Sequence, residues 1–246
     1  GVDCEHPDLK ANLWVNEAEK NGVVGQDDDG NGLIDDIYGY DFINQTGSLA
    51  DFNGHGTHCA GIAAAVGNNG IGITGANPDA LIMPITVMQS DGTGDVATLI
   101  KGIDYAAANG ADVFSMSFGG RDYSAAEEQA LGKAYASAVL LAAAGNNGAS
   151  IYKLTPLALA GRMFPAAFQF VLGVQATRGE EGDRADFSNY DPDGPIYSDY
   201  SFEWELYNYE LSAPGVNIMS TIPKGQYRNM NGTSMACPLA AGDISR

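Results

Sequence analysis

The sequence predicts an α/β fold: a doubly wound, mostly parallel sheet with helices on both faces. Three observations predict it. Short apolar runs with β-branched content alternate with helical patterns along the whole chain, an order that suits parallel strands joined by crossover helices. No internal repeat or linker interrupts the alternation, so residues 1–246 read as a single domain. The residues with chemical potential fall just after strand candidates, and sites in such sheets gather at the carboxyl ends of strands. In chain order the expected elements are a helix at His55–Val66, a strand at Leu81–Met88 and a helix at Ala97–Asn109 that Asn109-Gly110 stops. A strand at Val113–Phe118, a helix at Ala125–Ser137 and strands at Val139–Ala144, Phe170–Ala176 and Glu210–Ala213 follow. A last helix begins at Ser234.

Composition narrows the function. A chain of 246 residues that is 45% hydrophobic can fill a full core. Its formal charge of −19 argues against a nucleic-acid partner, because phosphate binding rests on clustered Lys and Arg. The acidity fits either simple solubility or a saline or calcium-containing medium. Cys4, Cys59 and Cys237 are too few for a disulfide framework. No apolar run approaches the roughly 18–20 residues of a membrane-spanning helix, so no membrane span is expected. The chain opens on Gly1, so the lack of a leader says nothing about secretion.

Two segments carry the chemistry. Gly54-His55-Gly56-Thr57-His58-Cys59-Ala60-Gly61 sets a base, and Gly232-Thr233-Ser234-Met235-Ala236-Cys237-Pro238 a hydroxyl nucleophile, each at the mouth of an expected helix. A serine hydroxyl is a poor nucleophile until an imidazole takes its proton. Alone, Gly-x-Ser-x-Ala reads as an ordinary helix cap, and His55 with His58 as core histidines or metal ligands.

Together with Ala144-Gly145-Asn146, Ala213-Pro214-Gly215, Asn231 and Gly1-Val2-Asp3-Cys4-Glu5-His6-Pro7-Asp8-Leu9, these motifs resemble the subtilases, the subtilisin-like serine proteases, in the family's own order and over nearly the whole chain. The resemblance implies a subtilisin-like fold, incomplete at both termini: the chain stops inside a helix and opens in the turn after an absent strand. It implies that Ser234 attacks the scissile carbonyl and His55 takes the proton. Asn146 then donates to the oxyanion beside the Ser234 N–H. The family's Asp-(Ser/Thr)-Gly motif meets Gly1 at its glycine, so the orienting aspartate is expected two residues upstream of Gly1. The register set by His6-Pro7-Asp8-Leu9 excludes Asp3 and Asp8 from that role. The chain as given then holds two triad members and is expected to be a poor catalyst.

The same resemblance assigns peptide-holding rails to Gly92-Thr93-Gly94 and Ser117-Phe118-Gly119, which would bind substrate as an added strand. Phe118 and Ala143-Ala144-Gly145 would wall the pocket for the residue before the cut bond, with room for a large apolar side chain. Peptide or protein substrate, an inhibitory propeptide and a secreted or secretory-pathway location follow from the family. A catalytically inactive subtilase-like peptide-binding module is the competing reading; a metallohydrolase built on His55 and His58 lacks a third ligand.

Structural Ca2+ is expected at the acidic run 27–36, which reads like the first half of an EF-hand loop. Asp27, Asp29 and Asn31 stand at positions one, three and five, Gly32 at the sharp turn, and Leu33 offers a carbonyl. Tyr38 stands where the twelfth-position Glu would be, so Asp35 or Asp36 must complete the shell. A second site, implied by the family alone, would take Asp8 and the 66–73 loop with Asn68. Cys59 lies one helical turn from His55. The stretch 190–209, rich in aromatics and acids, departs from the family pattern. Alternating Phe202, Trp204 and Leu206 suits either a sticky hairpin for a propeptide or partner, or a loop with packing of its own.

Overall fold

A computed structural model describes residues 1–151, 162–179, 182–191 and 209–246. In chain order its elements are a 3-10 turn (Lys10–Asn12), α1 (Glu17–Asn21), β1 (Tyr40–Asp41), α2 (His55–Ala64), β2 (Ile85–Thr86), α3 (Val96–Ala108) and β3 (Val113–Met116). Then come α4 (Ala125–Ala134), β4 (Val139–Ala143), β5 (Leu172–Arg178), β6 (Asp183–Arg184), β7 (Leu211–Pro214), β8 (Ile218–Ile222), β9 (Gln226–Met230) and α5 (Thr233–Ile244). They form two compact units. One holds Gly1–Ala111, Met219–Arg228 and Ser245–Arg246; the other holds Asp112–Ile218 and Asn229–Ile244.

In the first unit, β1 and β2 pair in parallel, Tyr40 opposite Ile85. Only Ile85–Thr86 of the expected 81–88 strand is ladder; Leu81 is 64% exposed and has no core to face. The Asp95 carboxylate starts α3 by accepting the Thr98 N–H. Helix α3 closes on β2 at Gly102, where a Cβ would sit 2.6 Å from Val87 Cγ1. Val2, Leu9, Ala60 and Ala65 bury α2 against the N-terminal segment. Two buried hydroxyls on β8 fasten α2 from the other direction: Ser220 donates to His58 O and Thr221 to Thr57 O, each at 2.7 Å.

The second unit is the parallel sheet. Strands run β3-β4-β5-β7, and β6 turns back antiparallel on the end of β5. The register sets Met116 opposite Ala142, Ala143 opposite Val174, and Ala176 opposite Ala213. Helix α5 packs across these strands, burying Ala236, Cys237 and Ala241 against Leu141, Val174 and Ala213. Small residues on α5 allow that close approach. The α/β expectation is met. The β8–β9 hairpin was not foreseen, because Gln226-Tyr227-Arg228-Asn229-Met230 lacks an apolar run. Most of the 190–209 insertion, including Phe202, Trp204 and Leu206, lies outside the described residues. Its last residue, Tyr209, is buried, and its hydroxyl accepts the Met163 N–H.

Candidate active site

Ser234 stands in the first turn of α5 and is half-buried. Its Oγ donates to the Ser117 carbonyl at 3.2 Å, and the Ser117 Oγ donates back to the Ser234 carbonyl at 2.9 Å. Gly232, just before the helix, has φ 155°, and the Met235 N–H returns to its carbonyl. The helix N-terminus favours negative charge developing beside Ser234.

Asn146 follows β4 and meets the same turn. Its Oδ1 accepts the Thr233 N–H at 2.9 Å and the Thr233 hydroxyl at 3.0 Å. A backbone N–H can only donate, so this atom must be the amide oxygen, and the other end of the side chain is a donor. The Thr233 hydroxyl accepts the Gly145 N–H in turn. Thr233 is fully buried and so bridges the Asn146 turn to the nucleophile turn. Asn189, also fully buried, holds the rest of the loop. Its amide donates to Ala144 O, and its oxygen accepts the Asn147 and Ala149 N–H groups. Gly145 has φ 99°, and a Cβ there would lie 2.6 Å from the Asn189 amide nitrogen, so this turn requires glycine. Sequence reasoning missed Thr233 and Asn189. Their signal was present: polar residues inside the serine motif and the Phe187-Ser188-Asn189 stretch.

In the first unit, His55 opens α2, half-buried. Burial pushes its imidazole below the ordinary value; the Asp51 carboxylate opposes that and His58 adds to it. A lowered pKa keeps the ring neutral near pH 7, the state a general base needs. Helix α2 has Gly54 as its cap residue, without a side-chain cap. Asp51 does that work instead: it accepts the Asn53, Gly54 and Thr57 N–H groups and the Thr57 hydroxyl, all at 2.6–2.9 Å. Burial raises the Asp51 carboxyl, but the Thr57 hydroxyl and these N–H groups outweigh it, and the net shift is downward. Sequence reasoning missed Asp51 as well. His58 is fully buried, and its Nε2 meets the Arg228 carbonyl at 2.9 Å, so that nitrogen carries the proton. The Cys59 Sγ lies 4.0 Å from His55 Nδ1. Cys4 and Cys237 are buried, and burial drives their thiols up to about 12 and about 11, which makes them inert.

Residues 1–245 match the subtilase family. The chain belongs to the subtilase family. It is 34% identical over 254 residues to Subtilisin-like protease 1 of Plasmodium berghei, covering all of this chain and 41% of that protein. It is 39% identical over 207 residues to Subtilisin DY of Bacillus licheniformis, covering 84% of this chain and 67% of that protein. Thermitase of Thermoactinomyces vulgaris is 34% identical over 243 residues, 98% of this chain and 70% of that protein. The chain thus spans less than half the length of the Plasmodium relative.

In this subtilase the segments expected to hold peptide differ from one another. Ser117-Phe118-Gly119 leaves β3 without regular structure, and Gly119 is exposed. Gly92 and Thr93 instead form a turn: the Gly92 N–H donates to Gln89 O and the Thr93 carbonyl accepts the Gln89 N–H. Those main-chain groups are used within the turn, and Gly94 packs against Met88. Ala143 is buried in the α5 core and Ala144 is fully buried, so their methyls serve packing.

The acidic run folds as a tight loop. Asp27 accepts the Gly30, Asn31 and Gly32 N–H groups, the pattern of the first residue of an EF-hand loop. Oxygens of Glu19, Asp27 and Asp29 lie within 4.8 Å of one another. Glu19, from α1, is only 4% exposed. The described ion pairs join Lys10 to Glu5, Lys20 to Glu17 and Arg178 to Asp186, none of them at this cluster. These carboxylates accept backbone N–H groups: Glu19 those of Asp28, Asp29 and Asp35, and Asp29 that of Asn31. Asn31 turns its amide toward Asp29 and Asp36, and its oxygen accepts the Leu33 N–H. Asp36 is buried and accepts the Tyr105 hydroxyl at 2.6 Å, and Asp35 turns away to the Gly25 N–H. Glu19, nine residues upstream of Asp28, therefore takes the place in the cluster that was expected of Asp35 or Asp36.

The Asp8 site has a different donor set. Asp8 is fully buried; its Oδ1 accepts the Asn69 amide, and its Oδ2 accepts the Ile73 N–H and the Tyr227 hydroxyl. The amide that meets Asp8 belongs to Asn69, while Asn68 occupies a left-handed turn at φ 56°. Both carboxylate oxygens of Asp8 thus face donors from three different segments.

Proposed function

We propose that this subtilase domain is a serine endopeptidase in which Ser234 is the nucleophile and His55 the general base. The Ser234 Oγ–H proton passes to His55 Nε2 as Oγ bonds to the scissile carbonyl carbon, giving a tetrahedral oxyanion. The Asn146 amide and the Ser234 backbone N–H donate to that oxygen. His55 then protonates the departing amine as the C–N bond breaks, leaving an acyl-Ser234 ester. Water, deprotonated by His55, hydrolyses the ester and restores Oγ–H.

One observation carries the reading: Thr233, the residue before Ser234, pins the oxygen of Asn146 and so leaves its amide nitrogen as a donor beside the nucleophile turn. Backbone of Ser117–Gly119 would pair with an extended substrate. We propose calcium as a structural ion held by Glu19, Asp27 and Asp29, where it offsets their mutual repulsion. Family membership supports an inhibitory propeptide and a secreted or secretory-pathway location. Among the described residues no helix is long and apolar enough to cross a membrane. The test is a fluorophosphonate probe on the full-length protein. A covalent adduct at Ser234, lost in His55→Ala, is expected; absence of adduct in the wild type sinks the protease reading and favours the inactive binding module.

A further inference from the structure

We propose that Ser117 is a positioning residue for Ser234, its hydroxyl replacing a helical hydrogen bond that Pro238 cannot make. The inference rests on Ser234 being the nucleophile. In an α-helix each carbonyl accepts the N–H four residues on. For Ser234 that residue is Pro238, which lies inside α5. Proline has no N–H, and its ring crowds the carbonyl four residues before it. The Ser234 carbonyl therefore loses its helical partner at the one residue whose placement matters most.

Ser117 supplies the missing donor. Its Oγ reaches the Ser234 carbonyl at 2.9 Å, and the Ser234 Oγ donates to the Ser117 carbonyl at 3.2 Å. The clamp is reciprocal: one bond holds the nucleophile's backbone, the other its side chain. Ser117 directly follows β3, whose last residue is paired with Ala142 of β4. The nucleophile is thereby tied to the sheet and not merely to its own helix. With its backbone held, Ser234 has only its hydroxyl to turn, from the Ser117 carbonyl to His55, before attack, and such fixing of the reacting group speeds reaction.

The test is a double-mutant cycle on the full-length protein with Ser117→Ala, Pro238→Ala and both, plus Ser117→Thr. Readouts are kcat and KM on a peptide, the rate of fluorophosphonate labelling and the melting temperature. Ser117→Ala is expected to lower kcat and labelling about tenfold with KM within about twofold, the size of one hydrogen bond. In the Pro238→Ala background the same change should cost less than about twofold, because residue 238 then donates its own N–H to Ser234. Ser117→Thr should keep most of the rate. Equal losses in both backgrounds, or no loss at all, overturn the proposal. A wild-type protein that fails to label refutes Ser234 as nucleophile. The four melting temperatures still decide the bond replacement in that case: a coupled pattern upholds it and additive shifts overturn it.

Discussion

Thr233→Val isolates the bridge between the nucleophile turn and the Asn146 turn. Valine keeps the shape and removes one oxygen, which accepts the Gly145 N–H at 3.1 Å and donates to Asn146 Oδ1 at 3.0 Å. Thr233 is fully buried, so water cannot take over. Leaving the Gly145 N–H unpaired costs about 1–3 kcal/mol, or roughly 2–12 °C of melting temperature for a domain of this size. Asn146 keeps one anchor, the Thr233 N–H at 2.9 Å. Its amide should wander and not vanish. In a subtilisin, outright loss of the oxyanion donor has been measured to lower kcat about 10²–10³-fold. A partly released donor should cost about tenfold, near 1.4 kcal/mol. The loss should fall on kcat with KM little changed, since the interaction matters in the transition state. Steady-state kinetics on a peptide and a thermal melt read both effects. A lower melting temperature with kcat intact would refute the coupling and leave Thr233 a packing residue.

Two further perturbations follow from the charges. Glu127, in the first turn of α4, is 4% exposed, and burial raises its carboxyl from an ordinary 4.5 to about 7. The folded state then holds a proton that the unfolded chain releases, so stability is greatest below about pH 4.5 and declines as pH rises through 7. Glu127→Gln should melt with the wild type near pH 4.5 and be more stable by about 1–2 kcal/mol at pH 8, a figure discounted for screening at the helix N-terminus; a difference that does not change with pH contradicts this. Calcium at Glu19, Asp27 and Asp29 should stabilise the fold by about 2.7 kcal/mol at a hundredfold excess over Kd. Excess EDTA should lower the melting temperature by several degrees in the wild type and much less in Glu19→Gln, and identical melts with and without chelator would discard the ion.

The sheet was legible because its strands are short segments built around apolar residues: Val113–Met116, Val139–Ala143 and Leu172–Arg178 all fall within two residues of their expected places. Hydrophobic burial acts on composition, so composition reports it. In the β8–β9 hairpin, β9 (Gln226–Met230) lacks such a segment. The hairpin's value lies in hydroxyls that reach His58 and Thr57 across more than 160 residues of chain, a pairing no local window contains. The Leu81–Met88 run misled for the opposite reason, since Leu81 is apolar but exposed.

By itself the sequence determined the family, the order of the His and Ser motifs, and which residue types stand at the helix mouths, because short motifs with strict spacing carry local backbone requirements. It also determined that the 27–32 segment loops around an acid, since glycines at 30 and 32 take the left-handed turns such a loop needs. Tertiary structure alone decided who serves those residues. Asp51 caps the helix of His55, Thr233 and Asn189 aim and brace Asn146, Ser117 answers the carbonyl that Pro238 abandons, and Glu19 enters the acidic cluster from α1. Each is a hydrogen-bond donor, acceptor or charge whose partner is chosen by folding. Polar partnership depends on angles and distances of a few tenths of an ångström, which a linear order of residues does not contain.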